Sequence, residues 1–325
     1  MTTIQPERAV RGIHHITAIS SDPRQTSDFY STLLGLRLVK RTVNFDDPST
    51  YHLYFGDRTG RPGTILTFFP FPLAGRGKPG PGQVTAIAFR VPRESLGFWA
   101  ERLSQNGVAF EGPFERLGAD VITFTDADGL PLEIVANAAA RSEWSTSDIS
   151  ATNAIVEFDG VTLSPRMRDA TSDLLQNQLG MISVAQDGNR RRFLAGAGNG
   201  ENGSTGQNID ILSVSDSTTA VPGAGTVHHI AWRCGEDEQL GWRTGLLQAG
   251  MKVTPIIDRN YFHSIYFREP GGVLFEIATD EPGFGVDEKI GELGSTLKLP
   301  DWLESRRDAI IRSLPPMKGT SQVSS

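Results

Sequence analysis

Residues Gly12–Ser20 read GIHHITAIS, and residues Thr226–Cys234 read TVHHIAWRC. The chain has six histidines in 325 residues, and four of them stand in these two HHI triplets. Each triplet lies in a short run with β-branched residues, which predicts a strand. Outward from the first triplet comes SDPRQTSDFYSTLLG. There Ser21 or Asp22 can cap a helix, Pro23 suits its first turn and Gly35 stops it. Three further strand-like runs follow, LRLVKRTVNF, TYHLYFGD and GTILTFFPF, separated by the turn residues DDPS and RTGRPG. The unit is β-α-β-β-β over residues 10–72.

The same order recurs over residues 83–137, more loosely over 154–215, and clearly over 226–279. Four copies of one supersecondary unit predict an α+β chain of four βαβββ modules forming two half-barrel pairs. The expected domains are 1–150, holding the first two modules, and 151–325, holding the last two and a closing amphipathic helix over 300–314. The stretch GAGNGENGSTG (Gly196 to Gly206) leads into a strand and not a helix, so it reads as a hairpin loop, not a phosphate cradle. The last residues, KGTSQVSS, read as disordered.

Net charge is −7 and the basic residues are scattered, which argues against nucleic acid as a partner. One cysteine, Cys234, permits no intrachain disulfide and points to a reducing, cytoplasmic setting. The N-terminus lacks the apolar core of a secretory signal. No apolar run approaches the roughly 20 residues that span a bilayer, so no membrane partner is expected. A monomer and a homodimer are both compatible with this plan.

Laying module one against module four matches Tyr54 with Tyr266, Phe55 with Phe267, Gly63 with Gly272 and Thr67 with Glu276. The pair therefore offers first-strand histidines twice and a last-strand carboxylate once. Two imidazoles and one carboxylate from separate strands can form the facial triad of a non-haem Fe(II) site with open positions. The same set can hold Mn(II), Zn(II) or Ni(II). Neighbouring strand residues face opposite ways, so one histidine per pair reaches the metal unless a bulge intervenes, and alternation does not say which. His52 and His263 begin matched strands and read as surface or rim residues. Glu133 ends the last strand of module two as Glu276 does in module four. Modules two and three carry no histidine, so Glu133 reads as a relic or a solvated carboxylate, not a second metal site.

These features resemble the vicinal oxygen chelate superfamily, which includes glyoxalase I, bleomycin-resistance proteins and extradiol dioxygenases. Within it, GIHHITAIS, GTVHHIAWR, DRNYFHSIYFREPGGVLFEI and KLPDWLESRRDAI look like the four-module hydroquinone and chlorohydroquinone ring-cleaving dioxygenases. The resemblance implies Fe(II), or another divalent metal such as Mn(II), on His15, His229 and Glu276. It also implies that His14, Thr17, His228, Arg259 and Tyr266 line or support a pocket for a small aromatic diol and O2. With that ligand set, modules one and four must share one half-barrel, leaving modules two and three to form the other. Two alternatives stand beside it: a metal-dependent glyoxalase-like lyase or isomerase, and a small-molecule sequestering protein. Thr67 in place of a second carboxylate counts against the first, and the retained triad against the second.

Overall fold

The computed structural model describes residues 8–138, 142–196, 207–213 and 219–317. Most of the Gly196–Gly206 stretch and the tail after residue 317 lie outside the described residues. Module one supplies β1 (Ile13–Ser20), α1 (Pro23–Ser27), β2 (Arg37–Val43), β3 (Tyr51–Gly56) and β4 (Ile65–Pro70). Module two supplies β5 (Gln83–Pro92), α2 (Leu96–Gln105), β6 (Phe110–Arg116), β7 (Ala119–Thr125) and β8 (Pro131–Ala138). Module three supplies β9 (Glu157–Ser164), α3 (Arg168–Asn177), β10 (Ile182–Asp187), β11 (Arg190–Ala195) and β12 (Gln207–Leu212). Module four supplies β13 (Thr226–Cys234), α4 (Gln239–Gln248), β14 (Ile257–Asp258), β15 (Phe262–Arg268) and β16 (Leu274–Pro282).

The strands form two eight-stranded sheets, ordered β14-β15-β16-β13-β1-β4-β3-β2 and β10-β11-β12-β9-β5-β8-β7-β6. Modules one and four therefore share a sheet across the antiparallel β1–β13 seam, and modules two and three share the other across β5–β9. Each half of the sequence contributes one module to each sheet. One apolar cluster carries both seams, with Ile16, Ile230, Phe89 and Phe158 among its fully buried members. Among the described residues, no helix is long and apolar enough to cross a membrane.

Local chemistry explains most boundaries. The Asp22 carboxylate accepts from the N–H groups of Arg24 and Gln25, capping α1 where Pro23 starts it. Gly35 ends the helical segment at φ +73°, a left-handed conformation open to glycine. Two readings need correction. The second strand of module four shrinks to Ile257–Asp258 and an isolated bridge at Val253, because Pro255 between them has no N–H to donate to a ladder. The closing helix divides into α5 (Asp301–Glu304) and α6 (Arg307–Ser313), and the turn between them brings Arg307 onto both Glu304 and the Leu297 carbonyl.

The seams carry the decisive irregularity. Along β1–β13 the pairing steps from Ile13↔Trp232 to His15↔Ala231, and later from Thr17↔His229 to Ala18↔Val227. His14 and His228 are thus the extra residues of two β-bulges, one on each strand. The β5–β9 seam has the same two bulges, at Thr85 and Asp159. Matching bulge to bulge puts Ala86 and Gly160 where His15 and His229 stand. The last strands agree: Thr67, Glu133, Asp210 and Glu276 oppose Thr17, Ala88, Thr162 and Ala231, each two residues past the matched second-histidine place.

The second sheet fills its equivalent hollow with ion pairs. Glu133 meets Arg116 at 2.7 Å, and Asp210 meets Arg192 at 2.7 Å and Arg190 at 2.8 Å. Glu133 is buried and paired, so it is not a solvated carboxylate. At Gly160 the chain approaches the neighbouring strand so closely that an added Cβ would run into the Asn208 carbonyl. Gly160→Ala is expected to cost about 1–3 kcal/mol of stability, the range for overpacking and backbone displacement. Gly97→Ala, on a helix face with open space at the Cβ position, should stabilise by about 0.5–1 kcal/mol. Urea unfolding of both variants checks the opposite signs.

Candidate metal centre

The bulges bring both histidines of each triplet onto one side of the sheet. His14 Nδ1 lies 2.8 Å from His15 Nδ1, and His228 Nδ1 lies 2.8 Å from His229 Nδ1. The second histidines then aim their other nitrogens at each other across the seam, with His15 Nε2 and His229 Nε2 3.3 Å apart. Glu276 Oε2 completes the triangle, 3.3 Å from His15 Nε2 and 2.9 Å from His229 Nε2. All three residues are buried, and they are the one His/Cys/Asp/Glu group of metal-binding geometry among the described residues.

This triangle fits a metal ion on two counts. With metal–ligand bonds of about 2.1 Å meeting at right angles, facial ligand atoms sit about 3 Å apart, as these do. Glu276 Oε2 is also buried without a hydrogen-bond partner, although two ring nitrogens are close by. Lone pairs converging on a shared point produce that arrangement. The other carboxylate oxygen, Oε1, accepts from the Ser264 hydroxyl, which fixes the plane of the carboxylate. Burial alone would raise the Glu276 pKa, but the imidazoles of His15 and His229 hold it well below the usual carboxylate range.

Hydrogen-bond accounting sets the tautomers. A histidine ligating through Nε2 carries its proton on Nδ1, so His15 and His229 donate to the Nδ1 lone pairs of His14 and His228. Those rings must be neutral to accept. Burial, reinforced by the adjoining ring, lowers the pKa of both His14 and His228. The other ring N–H of His14 is directed at the backbone of Thr279, a minor influence that opposes the lowering. His228 keeps more exposed surface than His14, although the groups around its ring desolvate it.

Around the triangle, Tyr266 stands edge-on to His229 with ring centroids 5.7 Å apart. Its hydroxyl accepts from Arg259 Nε at 3.2 Å, and the guanidinium lies over the ring at 5.3 Å. Burial pushes the Tyr266 pKa up, so the phenol stays protonated. Arg259 also reaches Asp46 at 3.2 Å, tying module four to module one. Phe262 packs on the rings of His14 and His15 and keeps that side dry. His14, His15, Thr17, His228, His229, Arg259, Tyr266 and Glu276 are thus gathered around one cup.

His52 departs from its expected place on the rim. Its Nε2 lies 2.8 Å from Thr67 Oγ1 and its Nδ1 2.9 Å from the Tyr54 hydroxyl. Register explains it: Tyr54 opposes Thr67 as Tyr266 opposes Glu276, so His52 occupies the place that Ser264 holds in module four. A signal existed in the sequence, since His52 is two residues from Tyr54 and shares its face. His263 does sit at the rim, partly exposed and 3.1 Å from Glu236.

Comparison with known proteins places this arrangement among relatives. The family model described as "Glyoxalase/Bleomycin resistance protein/Dioxygenase superfamily" matches residues 12–134 and 169–277. "Putative ring-cleaving dioxygenase MhqE" of Bacillus subtilis is 44% identical over 94% of this chain and 99% of that protein. "Chlorohydroquinone/hydroquinone 1,2-dioxygenase" of Sphingobium indicum is 33% identical over 95% of this chain and 97% of that protein. The crystal structure of a "putative dioxygenase" from Bacillus subtilis, 44% identical, superposes with a TM-score of 0.90 over 96% of this chain and 99% of that one. Glyoxalase I from Zea mays, 12% identical, shares the fold alone, with a TM-score of 0.61 over 83% of this chain and 92% of that one.

Glu276→Ala is expected to lower the metal retained after anaerobic Fe(II) loading at least tenfold, by elemental analysis of the desalted protein. His14→Ala should cost about tenfold through loss of the outer hydrogen bond. Glu133→Ala should leave the metal content unchanged.

Proposed function

Because the chain belongs to the glyoxalase/bleomycin resistance protein/dioxygenase superfamily, we propose that it is an Fe(II)-dependent ring-cleaving dioxygenase of extradiol type. Its substrates on this reading are hydroquinone-like or catechol-like aromatic diols. Relatives at 44% and 45% identity across nearly the whole chain bear the name "Putative ring-cleaving dioxygenase", and the chain is an enzyme of that class. One observation carries the reading: three buried donor atoms converge, and the matched fourth place holds Thr67, a poor ligand. Open positions for two reactants suit dioxygen chemistry, whereas a glyoxalase-like lyase is better served by a second carboxylate. A reducing cytoplasm, suggested by the single cysteine, would also preserve Fe(II).

An Fe(II) held by His15, His229 and Glu276 would bring diol and O2 into one coordination sphere and pass electron density between them. The remaining work falls to the chain. Tyr266, kept protonated by burial, donates a hydrogen bond toward a substrate oxygen that gains negative charge. Arg259 holds that hydroxyl in place and adds a fixed positive charge beside it. His228 offers Nε2–H from the exposed side of the cup, where a ring hydroxyl enters. Phe262 excludes water from the opposite wall.

Protein loaded anaerobically with Fe(II) should consume O2 with hydroquinone, chlorohydroquinone or catechol and give a ring-opened product. Glu276→Ala should consume none. Tyr266→Phe should lower turnover about 10²-fold with iron still bound, the scale of one preorganised donor. Unchanged turnover in that variant would remove Tyr266 from the chemistry.

A further inference from the structure

Behind Thr17 runs a chain of polar groups, buried except for the half-buried His52, that the triad does not use. Tyr54 O–H, His52, Thr67 and Thr17 connect in series through separations of 2.9, 2.8 and 2.8 Å. Tyr54, Thr67 and Thr17 are each no more than 1% exposed. The direction of the chain follows from counting donors. Among the described residues the Tyr54 hydroxyl makes one hydrogen bond, to His52, and it is otherwise walled by the rings of Tyr261 and Phe284. A buried hydroxyl proton needs an acceptor, so Tyr54 donates to His52 Nδ1. Neutral His52 then carries its proton on Nε2 and donates to Thr67 Oγ1. Burial, with His15 and His229 nearby, lowers the His52 pKa well below its ordinary value, which keeps the ring neutral. Thr67 and Thr17 bond to each other, and that contact uses one of their two hydroxyl protons. Among the described residues the other proton has no protein acceptor.

Its location gives it a use. Thr17 lies two residues beyond His15 on the same strand face and directly opposite His229 across the seam. Module four provides the contrast. In the matched places Ser264 supports a carboxylate, Glu276, which presents lone pairs to the site. Module one presents a proton instead. The cup is therefore polarised, with acceptors on the Glu276 side and a buried donor on the Thr67 side.

We propose that His52, with Tyr54 and Thr67, is a positioning element that holds the Thr17–Thr67 hydroxyl pair as a hydrogen-bond donor to an ionised substrate oxygen in the cup. His52 touches no substrate; both of its ring nitrogens are occupied. Its part is to fix which way the threonine hydroxyls point. The proposal rests on the diol reading above, since the ligand it implies is a phenolate-type oxygen.

The test uses 4-nitrocatechol, whose ionisation is visible by absorbance, added without oxygen to the Fe(II)-loaded full-length protein. Wild type should bind the probe as its anion. His52→Phe and Thr67→Val should each weaken anion binding about tenfold and move the ionisation of the bound probe to higher pH, with iron content unchanged. His52→Gln, which can still accept from Tyr54 and donate to Thr67, should restore most of the loss. Tyr54→Phe combined with His52→Phe should do no more than His52→Phe alone, because both break one chain. Unchanged probe ionisation in iron-replete His52→Phe and Thr67→Val would overturn the proposal, as would additive losses in the double variant. If His52→Phe fails to fold, Thr67→Val decides alone, because it keeps size and shape. Failure of the wild type itself to bind the probe or consume O2 would instead remove the diol reading, and the proposal with it.

Discussion

Two adjacent residues on a regular strand face opposite sides, and the candidate metal centre depends on breaking that rule twice. The bulges at His14 and His228 sit on opposite strands of a single antiparallel seam, related by its local two-fold symmetry. Each one turns a first histidine onto the same side as its neighbour. The ligand and its hydrogen-bond acceptor are then consecutive residues, and no loop or helix is needed to orient the ring. A ligand histidine requires a partner at Nδ1 to fix its tautomer and plane. Here the covalent chain supplies that partner, twice. The HHI triplet is one physical unit: acceptor, ligand, and an apolar residue that anchors the strand in the core.

The constraint extends to which modules pair. His15 and Glu276 are 261 positions apart in sequence, yet they meet because β1 and β16 both flank β13. Module one must therefore lie beside module four, and the middle modules are left to pair with each other. That second sheet has both bulges but no histidine in the places matching His15 and His229. Where histidine stands in one seam, alanine and glycine stand in the other, and Gly160 admits no side chain at all. The last-strand carboxylates survive there as Glu133 and Asp210, but arginines occupy the space between them. A buried carboxylate without a counter-charge is costly, and here the arginines supply that charge.

Much of this was legible in the chain before any coordinates. The module order, the cap at Asp22, the turn at Gly35 and the match of Tyr54 with Tyr266 all rest on local patterns, and these appear in the fold. The bulges did not show, because a bulge is a relation between two strands and has no signature on either one. That is why alternation left the choice within each histidine pair open. Asp210 escaped for the same reason: only the β9–β12 register reveals it as the counterpart of Glu276. His52 was misplaced by position in its element. A residue near the start of a strand looks peripheral in sequence, but here the cup lies over that end of β3. Pro255, by contrast, was a local signal that should have shortened the second strand of module four.

The asymmetry between modules one and four is what makes the centre suited to an open coordination sphere. Symmetry would supply two carboxylates, one from each last strand. Thr67 removes one of them, but a small residue in a buried place leaves a gap, and a gap beside a metal admits water or lets a neighbouring side chain collapse inward. His52 fills that volume from the adjacent strand, and its two nitrogens are satisfied by Tyr54 and Thr67. It has no lone pair free to ligate. The substitution of Thr–His for Glu–Ser thus deletes a ligand, keeps the wall packed, and reverses the polarity of that wall from acceptor to donor. On the proposed function, a site built this way would hold its metal from one side and meet an oxygen-rich ligand from the other.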